Sequence, residues 1–295
     1  MKLALGTAQF GLDYGVSNSF GQVKLLEVKS ILEEAKKYNI DTLDTAILYG
    51  NSESILGEIG VDKFNVVTKL PPIPKDTSDI DLWVNNQVKS SLKKMHIDGV
   101  SGLLLHKSSD LLEASKMQLF DSLCKLKDDG IVNKIGVSIY NPDELDAIES
   151  HGIKIDIIQA PFNILDRRLE SSGWLHKLNL AGIEVHTRSV FLQGLLLQKK
   201  EQRNPYFNKW NNYFKIFDEW VKDTRQTPLG ASLNFSNSYK SINKVIVGVQ
   251  KKTQLTEILA SISQDSQFSV PSELEIDDLM LINPSNWILG GYSGQ

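Results

Sequence analysis

Short, mostly apolar runs alternate along this chain with longer stretches whose apolar residues recur every three or four positions. The short runs fall at 3–7, 42–45, 65–68, 102–105, 134–138, 156–160, 184–187 and 244–247, and their β-rich composition reads as eight strands. Between them, stripes such as Leu25, Val28, Ile31, Leu32 and Ala35, or Val84, Val88, Leu92 and Met95, mark helices with one buried face. One helix start is explicit: Asn141 can cap, Pro142 suits the first helical position, and Glu144 can reach back to the cap amide. Strand and helix alternating from end to end is the sequence form of repeated βα units around a parallel sheet. Eight such units predict an α/β fold of the (β/α)8 barrel type, the TIM barrel, a parallel eight-stranded barrel with outer helices. Barrels of this kind commonly exceed 250 residues as one domain, so 1–295 is expected to be a single domain.

The segment 198–228 breaks the rhythm. It is long for a βα connection, and it mixes polar residues with Tyr206, Phe207, Trp210, Tyr213, Phe214, Phe217 and Trp220. Its second half reads as the seventh outer helix with aromatics facing the core, and its first part is a candidate cover for an active site.

Composition narrows the function. A hydrophobic share of 41% with 23% charged residues is ordinary for a globular domain. The net charge of −4 and the scattering of the 32 basic residues speak against nucleic acid or an anionic membrane as partner and point to a small molecule. Cys124, the only cysteine, rules out an intramolecular disulfide and a cysteine metal site, and its place in the apolar phase of a helical run reads as packing. Met1–Thr7 is too short an apolar run for a leader, and no window reaches membrane-span length. A reducing cytoplasm is the expected compartment. The five histidines show no metal-ligand spacing, so no metal site is expected.

In a (β/α)8 barrel, reactive groups sit at the C-terminal ends of the strands. Asp44 closes the second predicted strand, Tyr49 follows five residues on, Lys69 follows the third strand and His106 the fourth. Singly, each has a plain reading as a cap, loop aromatic, solvated charge or satisfied polar group. Together they fit carbonyl reduction, which needs hydride at carbon and a proton at oxygen. Tyr49 is the proton donor in this reading. A neighbouring Lys69 ammonium would lower the phenol pKa, Asp44 would keep Lys69 charged, and a neutral His106 would donate a hydrogen bond to the carbonyl oxygen.

The run Asp44-Thr45-Ala46-Ile47-Leu48-Tyr49-Gly50-Asn51-Ser52-Glu53 with Leu56-Gly57 resembles the aldo-keto reductase signature. The likeness continues through Val67-Thr68-Lys69, Leu103-Leu104-Leu105-His106, Gly136-Val137-Ser138 and Gln159-Ala160-Pro161-Phe162-Asn163. The resemblance implies a barrel that binds NADPH, or less often NADH, without a glycine-rich dinucleotide fingerprint, and no G-x-G-x-x-G occurs here. It further implies Asp44, Tyr49, Lys69 and His106 as the catalytic set, Gly6, Thr7 and Asp44 at the nicotinamide end, and Ser138 and Gln159 on the carboxamide. The chain departs from the family pattern at Ile139, where a carboxamide-binding asparagine is usual. It departs again at Arg188, next to Ser189, where an aromatic usually stacks on the nicotinamide; a guanidinium can stack in its place. After the eighth strand, Glu257 matches a residue that contacts adenine, and Lys251 and Lys252 are placed to neutralise a 2′-phosphate. The lysines also read as a solvated loop, and Gln254 and Ile258 depart from the pattern.

The opening run from Leu5 to Gly15 and the trio Asp166-Arg167-Arg168 resemble a bacterial branch of the family met in surface-polysaccharide and sugar pathways, which implies a carbohydrate-type carbonyl substrate. Gln9, Tyr14, Trp83 and the loop after the seventh strand are candidate substrate contacts. Two other readings stand beside reduction: a nucleotide-binding sensor barrel with little turnover, and an aldolase-type barrel with a Schiff base on Lys69. Oligomeric state is open.

Overall fold

A computed structural model of the chain describes residues 2–16, 18, 20–113, 117–262, 269–289 and 292–293. Eight parallel strands, β1 (Leu3–Gly6), β2 (Thr42–Asp44), β3 (Asn65–Leu70), β4 (Gly102–Leu105), β5 (Ile135–Ser138), β6 (Ile157–Pro161), β7 (Glu184–Arg188) and β8 (Lys244–Gly248), close in sequence order. The ring is sealed where Leu5 of β1 pairs with Val247 of β8. The expected (β/α)8 barrel is therefore the observed fold, with each strand within two residues of its expected bounds. The largest difference is at β3, which runs on through Lys69 and Leu70 because these residues pair with Leu104 and Leu105 of β4.

The helices are α1 (Ala8–Gly11), α2 (Leu25–Lys37), α3 (Ser52–Ile59), α4 (Ile80–Met95), α5 (Met117–Asp128), α6 (Asp143–Ser150), α7 (Arg168–Ser171), α8 (Trp174–Leu180), α9 (Asn211–Asp223), α10 (Pro228–Ser238), α11 (Lys252–Ala260) and α12 (Leu279–Ile282). The α2 stripe of Val28, Ile31, Leu32 and Ala35 is buried, as are Val84, Val88 and Met95 of α4. At the start of α6, Glu144 accepts from the amides of Tyr140 and Asn141, both at 2.8 Å, which is the expected reach-back. Cys124 is half-buried against the core. Within the barrel, Val67, Leu104 and Ile157 form a small apolar cluster of their own. Val67 and Ile157 share a strand face with Lys69 and Gln159 two residues on, so the barrel is apolar at mid-height and polar at the C-terminal mouth.

The long β7 to β8 connection holds two helices. In α9, Phe214, Phe217 and Trp220 are buried, as the pattern indicates. The first part of the 198–228 segment does not line the cavity at the barrel mouth. Tyr206 donates to the Met280 carbonyl at 2.9 Å, Trp210 donates to Asp278 at 2.9 Å, and Phe207 packs edge-on against Trp287. These aromatics therefore fasten the C-terminal segment. The second helix, α10, buries Gly230, Ser232, Asn234 and Ser236 beside Leu233 and Phe235; with so many small and polar residues inside, it carries no apolar stripe.

Candidate active site

β2 and β3 bring Asp44 and Lys69 together at the mouth. The Lys69 ammonium, 0% exposed, donates to Asp44 Oδ1 and Oδ2 at 2.7 and 2.8 Å, to the Thr45 carbonyl at 3.0 Å and to Tyr49 Oη at 3.4 Å. An ammonium has three donors and no acceptor, so Asp44, Thr45 and Tyr49 consume its capacity. Because Lys69 donates to the phenol oxygen, the phenol's own proton is left to point elsewhere. Gln159, reaching from β6, donates to Asp44 Oδ1 at 2.6 Å. His106 follows β4 with its amide on the Leu70 carbonyl at 3.0 Å, and its ring meets that of Tyr49 edge-on at 5.8 Å. The His106 Nδ1 is buried without a hydrogen-bond partner.

Tyr49 is held by close backbone packing. A Cβ at Gly11 would lie 1.8 Å from the Tyr49 carbonyl, and Gly50 adopts φ +54° with its Cα facing the Gly11 carbonyl. Ser52 adds a bond from its hydroxyl to the Thr7 carbonyl at 3.0 Å. Glu53, buried in α3, accepts from Thr68 at 2.8 Å and Ser91 at 2.5 Å, tying the loop's exit to β3 and α4.

Enclosure shapes the acid-base properties. Burial, and then the Asp44 carboxylate, push the Tyr49 phenol well above its ordinary value, with Arg188 opposing. This corrects the expected lowering by Lys69: withdrawal of the phenol from water, and then the Asp44 charge, outweigh the neighbouring ammonium. Burial likewise pulls Lys69 below its ordinary value while Asp44 opposes. His106 is pulled down to about 3 by burial, then by Lys69 and Arg188, and is neutral at physiological pH as expected.

A cavity of about 470 Å³ opens from this mouth, within the usual range for cofactor sites. Its wall includes Gly6, Thr7, Asp44, Tyr49, Gln159, Arg188 and Ser189 from the barrel mouth, and Gln250, Gln254, Glu257 and Ile258 from the segment after β8. Lys69 is fully enclosed off the wall, His106 is half-buried with its ring against that of Tyr49, and Ser138 is buried off the wall. Lys251 and Lys252 also lie off the wall: the Lys251 ammonium sits 3.8 Å over the Phe20 ring, and Lys252 pairs with Glu34 at 3.2 Å. Arg188 donates to the Ile139 carbonyl at 3.0 Å and lies 4.3 Å over the Tyr140 ring. Gln9 and Tyr14 line the cavity, whereas Trp83 packs against the core.

Sequence reasoning missed Gln250, whose buried Nε2 has no hydrogen-bond partner, and the wall formed by Thr227, Pro228 and Leu229. Thr227 followed by Pro228 is a helix-start signature that marks this position, and the Thr227 hydroxyl does accept from the Gly230 amide. The turn after β7 is strained, with left-handed φ at Ser189 (62°), Leu192 (46°) and Gln193 (52°), as is common where backbone shapes a ligand site.

The cavity, the barrel-mouth acid-base groups and the orphaned Gln250 amide fit a dinucleotide. The Aldo/keto reductase family model matches residues 2–272. The chain belongs to this family. Among its relatives, the oxidoreductase sirO of Leptosphaeria maculans is 25% identical over 218 residues, covering 71% of this chain and 65% of that protein. The L-glyceraldehyde 3-phosphate reductase of Escherichia coli (strain K12) is 21% identical, covering 90% of this chain and 87% of that one. The holo form of aldo-keto reductase AKR11C1 from Bacillus halodurans superposes with a TM-score of 0.72 at 20% identity, over 91% of this chain and 88% of that one. The glycerol dehydrogenase AKR11B4 from Gluconobacter oxydans gives 0.70 at 20% identity, over 92% and 88%. Members of the family are oxidoreductases that use nicotinamide cofactors on small carbonyl compounds. Among the described residues, no helix is long and apolar enough to cross a membrane.

Proposed function

We propose that this aldo-keto reductase is a cytoplasmic, single-domain enzyme that reduces an aldehyde or ketone to an alcohol with NADPH, with Tyr49 as general acid. The observation that carries the reading is the donation from the buried Lys69 ammonium to Tyr49 Oη at the wall of the cavity. It turns the phenolic proton away from Lys69 and towards a bound carbonyl oxygen. When bound, the dihydronicotinamide supplies hydride to the carbonyl carbon. Tyr49 supplies the proton; its raised pKa keeps it protonated throughout the physiological range, and a developing alkoxide is a still stronger base. His106, neutral, donates a hydrogen bond that orients the carbonyl oxygen. Asp44 and Gln159 act as positioning residues, fixing Lys69 against the phenol.

Gly6, Thr7, Asp44, Ser138, Gln159, Arg188 and Ser189 are proposed at the nicotinamide end, with Glu257, Lys251 and Lys252 at the adenosine end. The substrate class is a small polyhydroxylated or sugar-derived carbonyl compound. It is supported by the likeness to proteins named for L-glyceraldehyde 3-phosphate and glycerol and by the polar cavity residues Gln9 and Gln193.

Mixing the purified protein with NADPH and a panel of sugar-derived aldehydes tests the reading by loss of dihydronicotinamide absorbance. Y49F is expected to lower the rate by roughly 10²–10⁴-fold while NADPH still binds. Tight NADPH binding with no Tyr49-dependent oxidation is the result a sensor barrel would give. A Schiff base on Lys69 is disfavoured because Asp44 and Thr45 hold its ammonium away from the cavity wall.

A further inference from the structure

The charges at the barrel mouth do not cancel. Asp44 and Lys69 neutralise one another at 2.7 Å, and Arg168 is matched by Asp166 at 2.8 Å. Arg188 is left over. Among the described residues, no carboxylate lies within ion-pair distance of it, and its guanidinium is held by a carbonyl (Ile139, 3.0 Å), a hydroxyl (Ser189, 3.4 Å) and the Tyr140 ring. Three holds on a planar group leave it little freedom to swing away from an approaching cation. Its charge is felt across the mouth, since it opposes the rise of the Tyr49 pKa and adds to the lowering of Lys69 and His106 that burial dominates.

Any nicotinamide that serves this site has to come close. Hydride donor and carbonyl carbon must approach to about 3–3.5 Å, with the carbonyl oxygen facing Tyr49. The cavity wall around Tyr49 is made by Asp44, Gln159 and Arg188. The ring is neutral when reduced and carries one positive charge when oxidised. Resting on the reading of the cavity as a nicotinamide site, we propose that Arg188 makes it discriminate between redox states, holding the reduced cofactor more tightly than the oxidised one. As the C–H bond breaks and its electron pair passes to the carbonyl carbon, the ring gains the charge that Arg188 repels, and the Tyr49 proton goes to the alkoxide. The site thus relaxes its grip at the moment of turnover.

The test needs no substrate. Titrating the full-length protein with NADPH and NADP+, and separately with NADH and NAD+, gives two ratios of dissociation constants from which any 2′-phosphate preference cancels. The wild type is expected to bind the reduced form on the order of tenfold more tightly in both pairs, the size expected of one partly screened charge at close range. R188M is expected to bring both ratios to within about threefold. R188Q, which can keep the bond to the Ile139 carbonyl, should do the same, while R188K keeps most of the preference. A purely structural role would weaken both redox forms alike and leave the ratio unmoved. Equal affinities in the wild type, or an unchanged ratio in R188M and R188Q, overturn the proposal alone. Failure of the wild type to bind any of the four nucleotides overturns the cofactor reading, and the proposal with it.

Discussion

At the barrel mouth the polar groups are buried and their hydrogen bonds short: Lys69 is 0% exposed, and Asp44 receives bonds of 2.6 to 2.8 Å from Lys69 and Gln159. Beyond β8, by contrast, α11 carries exposed Lys251 and Lys252 at its start, off the cavity wall, and exposed Glu257 on the wall in its second turn. The mouth is anchored on β2, β3 and β6, whose register is fixed by strand pairing. The mouth is thus a rigid chemical device, and α11 is a surface that exchanges side chains at little cost to the fold. Substitutions at the mouth should register in stability and rate together, and those on α11 in affinity alone.

The largest expected effect comes from separating the buried pair. D44A or K69M strands a charge that burial has removed from water, at a cost of about 3–5 kcal/mol, measurable as a lower midpoint in urea unfolding. The double variant D44L/K69M removes both charges and should recover much of that stability while turnover stays lost. Recovery of turnover in the double variant would remove the pair from the mechanism. Next in size is G11A, whose added Cβ would meet the Tyr49 carbonyl at 1.8 Å and the Ser52 amide nitrogen at 2.5 Å. Backbone must yield there, which is expected to cost about 1–3 kcal/mol and, through displacement of Tyr49, to lower turnover by roughly 10²-fold. A G11A protein with wild-type kcat would show that the Gly11 contact does not set the Tyr49 position.

A smaller effect distinguishes the mouth by pH. His106 has a folded-state pKa of about 3 against an ordinary 6.5, so the unfolded chain takes up this proton first as pH falls. Its contribution to stability is full above pH 6.5 and is lost progressively from 6.5 towards 3. H106Q should therefore flatten the decline of Tm between pH 6.5 and 4.5. Glu184, pushed down from 4.5 to about 2 chiefly by its bond from His186, contributes stability above pH 4.5 that is lost from 4.5 towards 2. E184Q should thus change the acid limb only below 4.5. A pH profile of Tm in H106Q that parallels the wild type would contradict burial of a neutral His106.

The same contrast explains what was legible in the sequence. The strands show because residues such as Leu103, Leu104 and Leu105 are buried on both faces of β4, which leaves a continuous apolar run. Asp44, Tyr49, Lys69 and His106 show because the barrel rule assigns reactive groups to strand ends. The direction of the Tyr49 shift was not legible: it depends first on how fully the folded barrel withdraws the phenol from water and then on how near Asp44 comes to it. The Arg188–Tyr140 stack joins residues 48 apart that only the lateral pairing of β5 and β7 with β6 brings together. α10 was hidden for the opposite reason, since its buried face of Gly230, Ser232, Asn234 and Ser236 is too polar for a periodic signal.

The smallest predicted effect lies on α11, where two adjacent lysines look equivalent in the sequence and differ in space. The Lys252 ammonium is taken up by Glu34 at 3.2 Å, and its amide donates to Glu27 at 2.7 Å. The Lys251 ammonium has a ring, that of Phe20, as its partner at 3.8 Å and is the more easily recruited by a phosphate, since leaving a surface ring costs only about 0.5–1 kcal/mol. K251A is therefore expected to weaken NADPH binding by about two- to fivefold, the worth of an exposed charge pair, with NADH unaffected. K252A should change NADPH affinity by less than about twofold. Both effects should shrink as salt is raised, because exposed charges are screened. If K252A proves the more damaging, Lys252 must leave Glu34 when nucleotide binds, and the site at α11 would be an induced one rather than a preformed one.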